Sequence, residues 1–264
     1  MSGVLIMFLF LSLGGLLAGM LGGLLGIGGG ILIMPILRFA LDLDPTFAAG
    51  TCVVAVFFTA LGGSLKHLKL GHINLSSVLP VIIPGLVSTL FFSTIFVYLT
   101  QKGAWLDVAT GAIFSLVALR MLWEGIAEYL DKQVEPTHGN GLQGSTAAKM
   151  AIGIVAGGFP GLLGIGTGAV LVPAFAFALN APIKTAIGSS LACFSLNALA
   201  SSVFKISQGF VQTELLIPLC IGTLIGSRYG ATLNGRFSSP LLKAFFGIVF
   251  FYVAYKYIAV LGRV

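Results

Sequence analysis

The sequence predicts an all-α polytopic membrane protein made of two inverted-topology repeats, each a glycine-broken helix hairpin plus three transmembrane helices. Three observations carry this expectation. The chain is 57% hydrophobic and only 8% charged, whereas a soluble domain carries about 25% charged residues. Apolar runs of roughly 20 residues or more, enough to cross a hydrocarbon core of about 30 Å, recur along its whole length. The stretch Gly23-Leu-Leu-Gly-Ile-Gly-Gly-Gly-Ile-Leu-Ile-Met-Pro35 returns as Gly161-Leu-Leu-Gly-Ile-Gly-Thr-Gly-Ala-Val-Leu-Val-Pro173, an offset of 138 residues. The register then holds without a gap: Gly50 meets Gly188, Ala60 meets Ala198, Leu61 meets Leu199, Gly71 meets Gly209 and Pro80 meets Pro218. The chain is one unit written twice.

The first repeat is read over residues 1–130. Gly3 to Met20 lacks the cationic start and early cleavage site of a secretory signal, so it reads as a permanent helix, continuing to about Leu25. A glycine break follows, then a short helix from about Gly30 to Leu41, the turn Asp42-Leu-Asp-Pro45, and helices of roughly 46–66, 75–100 and 104–130. Residues 131–147 are polar, contain Pro136, Gly139, Gly141 and Gly144, and form the linker. The second repeat, 148–264, restates the plan at roughly 148–163, 168–180, 183–205, 211–233 and 240–262.

Whether each hairpin crosses twice or dips in and returns, the number of crossings per repeat is odd, which inverts the second copy. Basic residues favour cytoplasmic loops. With the linker cytoplasmic, Lys66, Lys69, Arg120, Lys132, Lys149, Lys184, Arg228, Arg236 and Lys243 fall inside, nine of the fourteen. Arg38, Lys102, Lys205, Lys256 and Arg263 fall outside. Both termini then face away from the cytoplasm, in a cell (inner or plasma) membrane. The net charge of +6 is scattered over short loops, so it is a topological signal and not a nucleic-acid footprint. Cys52, Cys193 and Cys220 sit inside apolar segments as free thiols, and no metal spacing occurs.

A helix interrupted inside a bilayer exposes N–H groups that cost several kcal/mol each when unpaired in lipid. Matching broken segments in duplicated halves therefore point to a transport site. The restarts at Gly30 and Gly168 offer free N–H groups and the positive end of a helix dipole to an anion. Gly28, Gly29 and Gly30, opposite Gly166, Thr167 and Gly168, leave room for the backbone to approach a ligand. Such glycines also serve plain helix packing; two clusters at one offset favour the cavity. Pro35 and Pro173 are expected to bend the short helices. A nucleotide loop is excluded, because Gly26-Ile-Gly28-Gly-Gly30 lacks the sixth-position glycine and follows no strand.

Gly50-Thr-Cys52 is matched by Gly188-Ser-Ser190, and Thr59 by Asn197 two turns deeper. Thr51 and Thr59, like Ser189 and Asn197, are eight residues apart and share a helix face. Hydroxyls often bond their own helix carbonyls, but an amide at membrane depth needs partners, which places Asn197 with Thr51, Thr59, Ser189 and Ser190 at the site. His67 corresponds to Lys205 at the end of the same helix in each copy. Charges there ordinarily snorkel to the interface; the alternative is a cationic vestibule at each mouth. Arg120 and Glu124, four apart, read as an interfacial pair, and Arg228 as a topology anchor.

The duplicated Gly-x-Gly-Gly-Gly…Pro element, the Gly-Thr-x and Gly-Ser-Ser segments, and His67…Gly71-x-x-Asn74 resemble the sulfite and organosulfonate exporter family called TauE/SafE, over nearly the whole chain. The resemblance implies an inner-membrane permease exporting small sulfur-containing anions. Thr167 replaces the middle glycine of the first copy, and Asn74 stands where an acidic residue often follows; substrate identity stays open.

The expectation is a secondary carrier for a small anion, working by alternating access, with no cofactor. Its partners are the anion and membrane lipid, with room for a homodimer. Asp107, Glu124, Glu128 and Glu214 lie towards helix ends, which argues against a carboxylate proton relay. An anion channel, or a permease for another small organic anion, is the alternative. An intramembrane enzyme is disfavoured, because His67, His72 and His138 fall in loops or at helix ends and form no catalytic pattern.

Overall fold

The computed structural model describes residues 2–100, 103–130, 141–233, 247–248, 251–257 and 259. Every regular element among them is helical. Helix α1 (Ser2–Leu25) ends at a break, and α2 (Gly30–Pro35) widens into a π-turn over Ile36–Ala40. Helices α3 (Pro45–Lys69), α4 (Leu75–Leu99) and α5 (Gly103–Leu130) follow. Helix α6 (Thr146–Leu162), α7 (Gly168–Pro173, with a π-turn over Ala174–Ala178), α8 (Ile183–Ser207) and α9 (Thr213–Leu233) repeat the plan. The bounds of α2, its π-turn and α3 recur in α7, its π-turn and α8 at the same offset of 138, so the sequence repeat is a backbone repeat. Residues 251–257 are helical; the rest of the helix expected over 240–262, and linker residues 131–140 with His138, lie outside the described residues.

Local chemistry sets these bounds. Pro45 opens α3, where a missing N–H is no loss, and the Asp44 carboxylate accepts the Thr46 N–H at 2.9 Å. The Ser145 hydroxyl accepts the Ala148 N–H at 3.2 Å, so α6 begins at Thr146, earlier than the expected residue 148. The bend expected at Pro35 is a change of ladder: the Leu41 N–H reaches the Ile36 carbonyl at 3.1 Å, a five-residue span. The left-handed residues Asp42 (φ 50°) and Asn180 (φ 47°) then stop the short helices, a conformation these side chains tolerate. Helices α3 and α8 close on left-handed Gly71 (φ 73°) and Gly209 (φ 75°). The following N–H groups, of His72 and Phe210, reach back to the carbonyls of His67 and Lys205, both at 3.0 Å.

The halves interlock. Along α1, Gly15, Gly19 and Gly23 lie against the backbone of Leu219, Thr223 and Ser227 of α9. Both series rise together, so the two helices run parallel. Gly153, Gly157 and Gly161 of α6 lie in the same way against Val81, Gly85 and Thr89 of α4. A glycine at every fourth residue lets backbones meet where lipid supplies no hydrophobic drive. The α4–α6 pair adds cross-helix bonds from Ser88 Oγ to the Ile154 carbonyl (2.6 Å) and from Thr89 Oγ1 to the Gly157 carbonyl (2.9 Å). Each half's first helix thus packs on the other half's fourth. At the centre α3 and α8 are antiparallel: Gly50, early in α3, meets Phe210 just past α8, while Gly188, early in α8, meets His67 in the last turn of α3.

Among the described residues, five helices are long and apolar enough to cross a membrane: Gly3–Leu25, Pro45–Lys69, Leu75–Leu99, Ile183–Ser207 and Thr213–Leu233. Helix α5, expected as a crossing and carrying Asp107 and Arg120, is not one of the five. Polarity is turned inside: Thr51, Thr59, Ser189, Ser190 and Asn197 are buried, whereas Ile83, Val87, Phe91 and Ile217 are exposed. Side chains sorted in that sense suit lipid as the solvent, and the chain is a multi-pass membrane protein.

Candidate functional site

Helix α2 folds back beside α1, with the Ile36 side chain facing Gly14. The break is therefore the tip of a hairpin, and α6–α7 makes the second. The two tips meet. Gly30 faces the backbone of Ile165 and Gly166, Gly166 faces Ile27 and Gly28, and Gly168 faces Gly26 and Ile27. Each tip also rests on the opposite half: Gly26 on Ile187 of α8, and Gly164 on Ala49 of α3. Gly26, Gly28 and Gly29 all adopt φ between 72° and 81°, which a Cβ disfavours. The second tip differs, since Thr167, opposite Gly29, sits at φ −93°.

The polar side chains fall into two sets. Thr167 Oγ1, Ser189 Oγ and Asn197 Oδ1 are buried with no hydrogen-bond partner among the described residues. Such groups are costly unless something pairs them. Asn197 lies against Gly85 of α4. In the first half a side chain at Gly29 would point at the Thr59 methyl; the counterparts of those two residues are Thr167 and Asn197.

The other set is satisfied. Ser190 Oγ donates to the Gly26 carbonyl across the tips (3.1 Å), and Cys52 Sγ donates to the Gly30 carbonyl (3.6 Å). Thr59 Oγ1 bonds the Ala55 carbonyl of its own helix (3.3 Å). Thr51 Oγ1 accepts the Gln212 N–H (3.0 Å), which ties it to the α8–α9 turn and not to the tips.

His67 and Lys205 do not snorkel: both are fully buried. Lys205 Nζ donates to the Pro160 carbonyl at 3.3 Å and lies 4.0 Å over the Phe96 ring. Ser201 Oγ donates to the same carbonyl at 2.7 Å. Asn197, Ser201 and Lys205 thus form a polar lane at every fourth residue of α8. Sequence reasoning found its ends and missed Ser201. His67 Nδ1 lies 3.0 Å from His72 Nδ1, and His67 Nε2 has no partner among the described residues. Burial, then the Lys184 charge, holds the His72 imidazole below its ordinary pKa. Arg38 makes a two-pronged bond to Asp107, Nε–Oδ1 3.1 Å and Nη2–Oδ2 2.9 Å, and its Nη1 donates to the Leu43 carbonyl at 3.1 Å. This clamps the first hairpin to α5.

The two hairpins meet tip to tip, and α8 carries a buried polar lane from Asn197 to Lys205; comparison with known proteins gives the class. A family model described as "Sulfite exporter TauE/SafE" matches residues 11–257. The chain belongs to the TauE/SafE family. A "Probable membrane transporter protein YunE" of Bacillus subtilis (strain 168) is 27% identical, over 92% of this chain and 94% of the relative. A "Probable membrane transporter protein" of Xylella fastidiosa (strain 9a5c) is 30% identical, over 88% of this chain and 87% of the relative. A "Sulfite exporter TauE/SafE family protein 2" of Arabidopsis thaliana is 42% identical over 69 residues, 25% of this chain and 15% of the relative. No solved structure matches. As a TauE/SafE member with these relatives, the chain is a membrane transporter in class.

Proposed function

We propose that the protein carries small sulfur-containing anions, sulfite or organosulfonates, outward across the cell membrane by alternating access about two inverted halves. The observation that carries the site is the trio of partnerless buried oxygens: Thr167 in the second tip, and Ser189 and Asn197 on α8, whose Ser190 and Phe194 meet the first tip. Two of the three can donate a hydroxyl hydrogen and the third brings an amide, which suits an oxyanion that must be released as readily as it is bound. Inversion is supported by the antiparallel course of α3 and α8, since helices related by an axis in the membrane plane run in opposite senses. On this reading Gly28–Gly30 and Gly166–Gly168 are the parts that separate to admit the anion, with the tips now in contact. Lys205 and His67 flank the path at its two ends, the first as an ammonium and the second as an imidazole bonded to His72, and both termini face away from the cytoplasm. Outward movement of one negative charge is favoured by about 2.3 kcal/mol per 100 mV of interior-negative potential, so export needs no elaborate engine.

Flux of sulfite, sulfoacetate, taurine and carboxylates in proteoliposomes under an imposed potential tests this. Saturable flux with counterflow for a sulfur anion is expected; unsaturable high-conductance currents would mean a channel, and a preference for carboxylates would mean another substrate. Hydrogen bonds to charged groups contribute roughly 1.5–3 kcal/mol, so Asn197→Leu should weaken the anion about 10-fold or more. Thr59→Val, removing a hydroxyl already bonded to its own helix, should change little. Wild-type affinity in Asn197→Leu, Thr167→Val and Ser189→Ala together would refute the site. Valine at Gly30 or Gly168 does not discriminate, because its Cβ meets the opposing tip's backbone whether or not an anion binds there.

A further inference from the structure

Between the last turn of α3 and the end of α9 lies a cavity of about 660 Å³ whose lining includes Lys66, Lys69 and Arg228. No carboxylate is among the described residues that line it. Its other walls are Leu65, Ile225, Tyr229 and Thr232, all exposed. From it an exposed apolar strip, Ile225, Ile221 and Ile217, runs along α9 for about 12 Å at 1.5 Å per residue. The repeat supplies an internal control. The matching positions on α8 and α4, which pack together, hold Phe204, Ser207 and Leu90 where this cavity has its three cations. Packing this pair of helices therefore does not require the cations.

We propose that this cavity is a binding site for an anionic glycerophospholipid. Lys66, Lys69 and Arg228 take the phosphate, Tyr229 lies at headgroup level as interfacial aromatics do, and an acyl chain follows the strip from Ile225 to Ile217. Basic pockets between membrane helices hold anionic headgroups in this manner, and juxtamembrane cations attract such lipids. The apolar strip is what favours a lipid over a free oxyanion, which needs only the cations. The site lies at the helix ends, away from the hairpin tips, and stands independently of the substrate assignment.

The test is retention of lipid by the full chain released from nanodiscs into a mass spectrometer, with thermal shifts as a second readout. Wild-type protein should keep phosphatidylglycerol in preference to phosphatidylcholine and be stabilised by it. Each cation is expected to contribute about fivefold in affinity, so K66Q/K69Q/R228Q should bind phosphatidylglycerol about 100-fold more weakly. A triple variant of the same charge elsewhere, K149Q/K184Q/K256Q, should bind like wild type. Equal retention of both lipids overturns the proposal, as does an unaffected cavity variant or an equal loss in the control variant. Stabilisation by inorganic phosphate alone, matching that by phosphatidylglycerol, would replace the lipid with a free anion and overturn it too. If the cavity variant unfolds, single K69Q and R228Q variants carry the same fivefold expectation.

Discussion

The two halves share the bounds of their short helices, π-turns and central helices, yet four of the matched positions at which they differ change their polarity. The first has Gly29, Thr59, His67 and Arg38; the second has Thr167, Asn197, Lys205 and Ala176. At the first three, polarity moves to the second half: a partnerless hydroxyl replaces a left-handed glycine, an amide replaces a satisfied hydroxyl, and an ammonium replaces an imidazole. At the fourth, the first hairpin is bolted to α5 through Arg38 and Asp107, and Ala176 offers the second hairpin no such clamp. Duplication has kept the scaffold and divided the labour. The first half holds the left-handed glycine and the clamped hairpin, and the second holds the unpartnered polar groups at the matching positions.

Breaking the clamp should have the largest effect. Asp107 is buried, and Arg38 is 15% exposed at the side chain. Arg38→Met leaves a buried carboxylate alone, which costs about 3–5 kcal/mol. The thermal midpoint in detergent should fall steeply, and Arg38→Met with Asp107→Leu should recover much of the loss. A double variant no better than the single would mean that Arg38 acts through the Leu43 carbonyl and not through the pair.

The next effect probes what the halves share. Gly19→Leu and Gly157→Leu each drive a side chain into the backbone of a parallel partner, at Thr223 and at Gly85. Overpacking of this kind costs about 1–3 kcal/mol, and the equal geometry predicts nearly equal falls in midpoint. A tolerated leucine at one site only would show that the two interfaces are not equivalent, despite their matching glycines.

Much of this was legible in the sequence. The breaks and most helix bounds followed from Gly, Pro and Asx residues whose local preferences are strong and are written twice. The cross-half pairing was not legible, because Gly15, Gly19 and Gly23 announce a close approach without naming the partner helix. Burial of Lys205 was missed for a related reason. A lysine at a helix end reaches water unless another element covers it, and the cover here, Pro160 and Phe96, comes from α6 and α4. The spacing Asn197, Ser201, Lys205 was the available signal, a polar series too regular for a lipid-facing helix end. Thr51 lies at tip depth, since Cys52 bonds Gly30 and Ala49 meets Gly164, but its hydroxyl is taken by the Gln212 N–H, a partner that helix phase does not announce.

The smallest effect concerns the α3–α4 turn and its counterpart after α8. His72 in the first corresponds to Phe210 in the second, so the first turn carries a histidine that its counterpart lacks. The two Nδ1 atoms of His67 and His72, 3.0 Å apart, share one proton between them, and protonating both replaces a hydrogen bond with repulsion. Burial and then Lys184 lower the folded pKa of His72, while the unfolded side chain keeps the ordinary value of about 6.5. Below that value the unfolded chain takes up a proton that the folded one refuses, so stability falls with pH. The contribution is full above about pH 6.5 and is lost as pH drops toward the lower folded value. The thermal midpoint should therefore decline as pH falls below about 6.5, and His72→Phe, which copies the second half, should flatten that decline. An unchanged slope in His72→Phe would assign the acid sensitivity to another group and remove this turn from the list of differences between the halves.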